Sequence, residues 1–162
     1  MKTLLLSILI CVSFVVLGKG DAPGLKSSIE KNTFYFELGG NGGFYSVNYD
    51  RIILRVKIVH LSIRTGYSVF PSKNNEDFNY IIPLEAILLF GEKNNFLELG
   101  AGKSIEYESN NNSSNITTFR FGYRYISDKG LMARAGVVPI VFSLFGNDVV
   151  GIWAGLGIGY AF

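Results

Sequence analysis

Val149 to Phe162 reads V-V-G-I-W-A-G-L-G-I-G-Y-A-F, and this stretch decides the fold. Taken in steps of two, Val150, Ile152, Ala154, Leu156, Ile158, Tyr160 and Phe162 are apolar or aromatic. The intervening set, Val149, Gly151, Trp153, Gly155, Gly157, Gly159 and Ala161, is mostly very small. Alternate residues of a strand point to opposite faces, so period two predicts a β-strand with one bulky apolar face and one that admits close approach. The stretch is long enough to cross a bilayer core, which takes about 9–11 tilted strand residues.

Working outward, the chain has 162 residues, which predicts a single domain. Hydrophobic residues make up 48% and aromatics 14%, yet beyond the N-terminus no apolar run approaches the roughly eighteen residues of a membrane helix. Nineteen glycines also oppose a helical protein. A formal net charge of +2 gives no electrostatic reason to expect nucleic acid as a partner. Lys2, the apolar run Leu4 to Leu17 and the small residues of Gly18-Lys19-Gly20 form a secretory signal peptide over residues 1–20. The one cysteine, Cys11, falls inside it. Leu9-Ile10 are too large for the position before a lipidated cysteine. Residues 21–32 read as a polar lead-in and 33–162 as the folded domain.

Seven further stretches share the alternation. They run Thr33 to Gly40, Phe44 to Ile53, Val59 to Phe70, Tyr80 to Phe90, Asn95 to Tyr107, Ile116 to Ile126 and Leu131 to Phe142. Connections at 39–43, 54–58, 71–79, 91–94, 108–115, 127–130 and 143–148 separate them. Gly39-Gly40-Asn41-Gly42-Gly43 reads as a tight turn. Eight strands joined by short and longer connections in alternation predict an all-β, antiparallel, up-and-down transmembrane barrel. The longer, polar connections are expected outside and both chain ends in the periplasm.

Charge decides which face meets lipid. A lysine or arginine on the lipid face at mid-membrane costs roughly 2–4 kcal/mol. Glu37, Arg64, Glu85, Glu98, Arg120, Arg124 and Arg134 all lie opposite the large apolar residues of their strands. Three carboxylates and four guanidiniums therefore converge on the lumen. Eight strands enclose an interior just wide enough for side chains to fill it, so the set predicts a polar plug and not a pore. Pairing would hold down the desolvation cost. Lys103 is the exception, since parity points it outward, towards an interface or across a bulge.

N-Y-D-R at 48–51, I-P-L-E at 82–85, F-L-E-L-G-A-G at 96–102, F-R-F-G-Y-R-Y at 119–125 and W-A-G-L-G-I-G-Y-A-F at 153–162 together carry a family likeness. The chain resembles small eight-stranded outer-membrane barrels of the OmpA-transmembrane and OmpX type, in particular the single-domain, porin-like barrels of Bacteroidota. The resemblance implies a bacterial outer-membrane location. It also implies contact with lipid and lipopolysaccharide, and an assembly signal at Phe162 and Tyr160 read by the barrel-assembly machinery. An unidentified surface or envelope protein is a further partner to expect. These motifs are architectural and specify no activity, so the expected role is structural or one of surface interaction, without catalysis.

Three motifs carry chemistry on paper. G-A-G-K-S at 100–104 resembles the end of a phosphate-binding loop, but Leu97 stands where the loop needs its first glycine and no helix follows. G-L-G-I-G at 155–159 places its glycines at every second residue, as packing inside a barrel wants. No cofactor or metal is expected. His60 and Ser62 lie two apart on one strand, the spacing of a His and Ser in some lipid A deacylases, a catalytic alternative. They sit at the start of their strand, towards the periplasmic side, whereas lipid A lies in the outer leaflet. A narrow small-solute channel and a soluble ligand-binding barrel of the lipocalin kind complete the alternatives.

Overall fold

The computed structural model describes residues 30–72, 77–108, 113–144 and 147–162, without the side chains of 142–148. The expected signal peptide, most of the lead-in and the centre of the Asn-rich connection lie outside the described residues. The strands are β1 (Asn32–Gly39), β2 (Tyr45–Val56), β3 (Val59–Pro71), β4 (Phe78–Glu92), β5 (Asn95–Tyr107), β6 (Ser113–Ile126), β7 (Leu131–Leu144) and β8 (Asn147–Ala161). Each pairs antiparallel with its neighbour in sequence, and β1 pairs with β8 to close the barrel. At that seam Thr33 faces Ala161, Glu37 faces Gly157 and Gly39 faces Gly155. The backbones of Asn32 and Phe162 exchange two hydrogen bonds, at 3.0 and 2.8 Å, at the foot of the seam.

One end, the terminal end, gathers the start of β1 and the end of β8 with the β2–β3, β4–β5 and β6–β7 turns. The other, the loop end, carries the remaining connections. Four connections differ from the sequence reading. The expected turn at 54–58 is strand as far as Val56, and the reversal takes only Lys57 and Ile58. What breaks the alternation at Ile52-Ile53-Leu54 is a β-bulge, where pairing shifts from Ile52↔Ser62 to Leu54↔Leu61. Lys57 takes the left-handed conformation, φ 51°, that closes so short a turn. At the loop end, β6 begins at Ser113 and so takes in the last three residues of the connection expected at 108–115. The β7–β8 ladder runs out to Leu144↔Asn147, leaving two residues where a longer outside loop was expected.

The fourth difference matters most. Gly39–Gly43 is not an outside turn. Gly40–Gly42 form a short 3-10 helix, η1, whose residues are all buried. The segment folds into the mouth of the barrel, which explains why the loop is so short. Gly39 (φ 70°) and Gly40 (φ 76°) supply the backbone angles that turn the chain inward. A Cβ on Gly40 would lie 2.7 Å from the Glu37 carboxylate, so the dive also needs a residue without a side chain.

Outside, the large apolar side chains are exposed, among them Phe34, Phe36, Leu97, Leu99, Phe121, Leu156 and Ile158. Outward aromatics gather towards both ends. Tyr67, Tyr80 and Tyr107 form a tier at the loop end, with ring centroids 6.4 Å apart at both steps. Tyr125, Tyr160 and Phe162 lie exposed towards the terminal end. Lys103 is exposed and outward without any bulge, between Leu84 and Thr117 on the neighbouring strands.

Inside, the wall does not face a uniformly polar lumen, as the charge pattern alone suggested. The terminal end is floored by Ile52, Ile87, Leu89, Phe96, Ile126, Met132 and Ala161, with Tyr35 above them. Above this apolar layer come the charges, and above those η1. The inward face of β8 fits that filling residue by residue. A Cβ on Gly155 would lie 2.9 Å from Glu37 Oε1, and one on Gly157 would lie 2.8 Å from Arg134 Cγ. One on Gly159 would collide with Tyr35. The glycines of Val149–Phe162 are the room into which these inner side chains fit.

Candidate functional site

All seven charged residues expected inside are inside, each at most 3% exposed. They form two assemblies. Nearer the loop end, Arg64 on β3 reaches Glu85 Oε2 at 2.9 Å and Glu37 Oε2 at 2.5 Å. Arg120 on β6 pairs with the same two carboxylates, at 2.9 Å to Glu37 Oε1 and 3.3 Å to Glu85 Oε1. Glu37, Arg64, Glu85 and Arg120 thus close a four-membered ring of alternating sign, spanning the lumen between β1, β3, β4 and β6. Two amides complete it. Arg64 donates to Asn48 Oδ1 through Nε (3.1 Å) and Nη2 (2.7 Å), and Arg120 Nη2 donates to Asn41 Oδ1 of η1 at 3.3 Å.

Nearer the floor the second assembly is an open chain. Arg124 Nη2 donates to Asp50 Oδ2 at 2.8 Å, and its Nε donates to Glu98 Oε1. Glu98 Oε2 accepts from Arg134 Nη2 at 2.6 Å, and Arg134 Nη1 donates to the Tyr35 hydroxyl. The Tyr35 ring lies between the two assemblies. The Arg64 and Arg134 guanidinium carbons stand 5.5 and 5.0 Å from its centroid, a cation–π contact on each.

Asp50 is the charge missed in the sequence. Its strand parity already placed it inward with Ser46 and Asn48, but it was not counted among the lumen charges. With it, each assembly holds two carboxylates and two guanidiniums and is neutral by itself. Neutrality layer by layer is what a low-dielectric interior demands, since an unpaired buried charge is far costlier than a paired one. The side chains of all seven ion pairs are fully buried.

His60 and Ser62 both point inward near the terminal end, at 3% and 0% exposure. His60 is therefore an interior residue and not an interfacial one. The Ser62 hydroxyl donates to Asp50 Oδ2 at 3.3 Å, while the His60 ring packs edge-on against Phe96 with centroids 5.8 Å apart. The pair does not meet as nucleophile and base. Among the described residues no group of three or more His, Cys, Asp or Glu side chains is placed to hold a metal ion. Phe162 and Tyr160 sit at the foot of the seam with their side chains exposed.

Two solved structures share this architecture. The N-terminal β-barrel domain of OprF from Pseudomonas aeruginosa is similar over 82% of this chain and 99% of that one, with a TM-score of 0.55 at 17% identity. The Yersinia pestis outer membrane protein Ail, determined in a phospholipid bilayer nanodisc, is similar over the same shares with a TM-score of 0.51 at 11% identity. No family model and no curated protein matches the sequence. The chain therefore has the fold of the small eight-stranded, closed antiparallel barrels, as its strand pattern predicts.

Proposed function

We propose that this chain is an integral barrel of the bacterial outer membrane with a structural or surface-interaction role and no catalytic one. The observation that carries the reading is the inversion of the molecule. Large apolar side chains face outward around the wall, while eight charged side chains are sealed inside in two neutral assemblies. A soluble ligand-binding barrel needs the reverse. The outward band is suited to lipid and lipopolysaccharide, and the exposed aromatic end at Tyr160 and Phe162 to the barrel-assembly machinery. The OmpA-transmembrane and OmpX likeness, and the Bacteroidota one, rest on the sequence motifs. With them go the periplasmic placement of both termini and the secretory leader.

A filled lumen favours a plug over a channel, and the separate partners of His60 and Ser62 favour a non-catalytic wall. The surface role rests on the loop end. There the β7–β8 ladder continues eight residues of β8 beyond the last pairing with β1, from Ala154 to Asn147. Tall hairpins over a sealed barrel offer backbone and side chains to a partner outside the membrane. Fractionation tests the reading: the protein should stay with outer-membrane pellets after a high-salt wash and run faster on gels unheated than boiled. Recovery in the salt-washed soluble fraction contradicts it.

A further inference from the structure

The outer wall is not alike all the way round. Lys103 on β5 faces Thr117 on β6, Thr117 faces Val141 on β7, and Val141 faces Val150 on β8. Along this one row of the sheet, polar side chains give way to apolar ones. Towards the loop end the outward positions of β6 are Thr117, Asn115 and Ser113, whereas those of β7 and β8 include Val137, Pro139, Val150 and Ile152. On the other side of β6, Tyr107 of β5 stands beside Tyr80 of β4, which stacks on Tyr67 of β3. All three rings are exposed. At this end the sector from β3 to β6 therefore carries hydrogen-bonding groups on a face that β7 and β8 leave apolar.

Lys103 carries the charge of this sector. Among the described residues it makes no ion pair. Glu106, on the same strand, faces the other side of the sheet, where it accepts from Ser114 at 3.3 Å. An ammonium among lipid chains is costly, so a lysine on the outer wall turns to the headgroup layer for its anion. Thr117 and Asn115 stand beside it as neutral donors, and together the three complement a phosphate. The tyrosines add flat apolar rings tipped with hydroxyls, a surface against which a sugar ring packs. From Tyr67 on β3 to Thr117 on β6 the sector crosses three strand spacings, about 14 Å. That exceeds a single phosphodiester head and suits a phosphorylated disaccharide.

We propose that the outer face of β3–β6 binds the phosphorylated sugar head of an outer-leaflet glycolipid. The Lys103 ammonium pairs with a phosphate, to which Thr117 and Asn115 also donate. A sugar ring lies against Tyr80 and Tyr107, and the acyl chains follow Leu99 and Phe119 towards the terminal end. The inference rests on the outer-membrane reading and gives one sector of the wall a defined partner.

The purified barrel, held in detergent, is titrated with bisphosphorylated lipid A, with its dephosphorylated form and with phosphatidylglycerol, and bound lipid is read by native mass spectrometry. Saturable binding of one lipid A is expected, not displaced by an equal concentration of phosphatidylglycerol. Lys103→Gln removes a charge-assisted hydrogen bond and should weaken that binding about tenfold, to the level of the dephosphorylated lipid. Tyr107→Leu should weaken it for both forms of lipid A. Lys129→Gln, at the terminal end, should leave it unchanged. Gel migration before and after boiling shows that each variant is folded. Equal binding by Lys103→Gln and the parent overturns the site. Equal displacement by phosphatidylglycerol overturns the glycolipid as its occupant. Flotation with liposomes is measured separately: failure to float contradicts the membrane reading, while the titration in detergent still decides the site.

Discussion

The two halves of the lumen fill the same cross-section by opposite means. At the terminal end, Ile52, Ile87, Leu89, Phe96, Ile126 and Met132 pack as an ordinary apolar core. Towards the loop end, four carboxylates and four guanidiniums do the filling, with Asn41, Asn48 and Tyr35 accepting further hydrogen bonds from the guanidiniums. Apolar filling is non-directional and forgiving, because any side chain of about the right volume serves. Ionic filling is directional, and every member but the two ends of the open chain is needed by two others. Arg64 serves Glu37 and Glu85, and Glu98 serves Arg124 and Arg134. The floor can therefore seal the barrel, whereas the ionic layers also specify which strand register is correct. A one-residue slip would turn every inward charge to the outside.

The comparison breaks first at Arg64. Arg64→Leu leaves Glu37 and Glu85 to share Arg120 alone, with one buried negative charge unbalanced, and should cost about 3–5 kcal/mol in urea unfolding from lipid vesicles. Leu89→Ala, in the floor, removes only packing and should cost about 2–5 kcal/mol, with Leu89→Met below about 1.5 kcal/mol. If Arg64→Lys, the equally conservative change in the ring, proves as mild as Leu89→Met, the two halves do not differ as argued. Gly157→Ala sets a Cβ 2.8 Å from Arg134 Cγ and should cost about 1–3 kcal/mol through overpacking. The smallest effect belongs to Lys103→Leu on the outer wall. At an interface the lysine costs about 0–1 kcal/mol, so the variant should gain no more than that. A gain of several kcal/mol would place Lys103 in the bilayer centre.

Most of the fold is legible in the alternation, and the reason is physical. A barrel wall has two faces that differ sharply in polarity, so inward and outward residues declare themselves at every second position. All eight lumen charges lie on the inward parity of their strands, Asp50 included, and the β1–β8 seam follows from closing the barrel. Where the wall departs from parity, the reading departs too. The bulge at Ile53 looks like a turn because both interrupt alternation. The apolar floor is hidden because Ile87, Leu89 and Phe96 face inward beside outward Leu88, Phe90 and Leu97, so a strand apolar on both faces gives no contrast. The inward dive of Gly40–Gly42 is invisible for another reason. Glycines permit both a tight outside turn and an inner 3-10 helix, and the choice is made by Arg120 and Ser104, which bind Asn41 from strands far along the chain at 3.3 and 2.6 Å. The pairing of Asp50 with Arg124 likewise joins residues 74 apart.

The central claim is that the lumen is closed by two neutral ionic assemblies standing on an apolar floor. Conductance across a planar bilayer tests it most directly. The purified barrel should insert and leave the current at baseline, apart from brief flickers. A steady, large conductance from the unaltered protein would contradict the account.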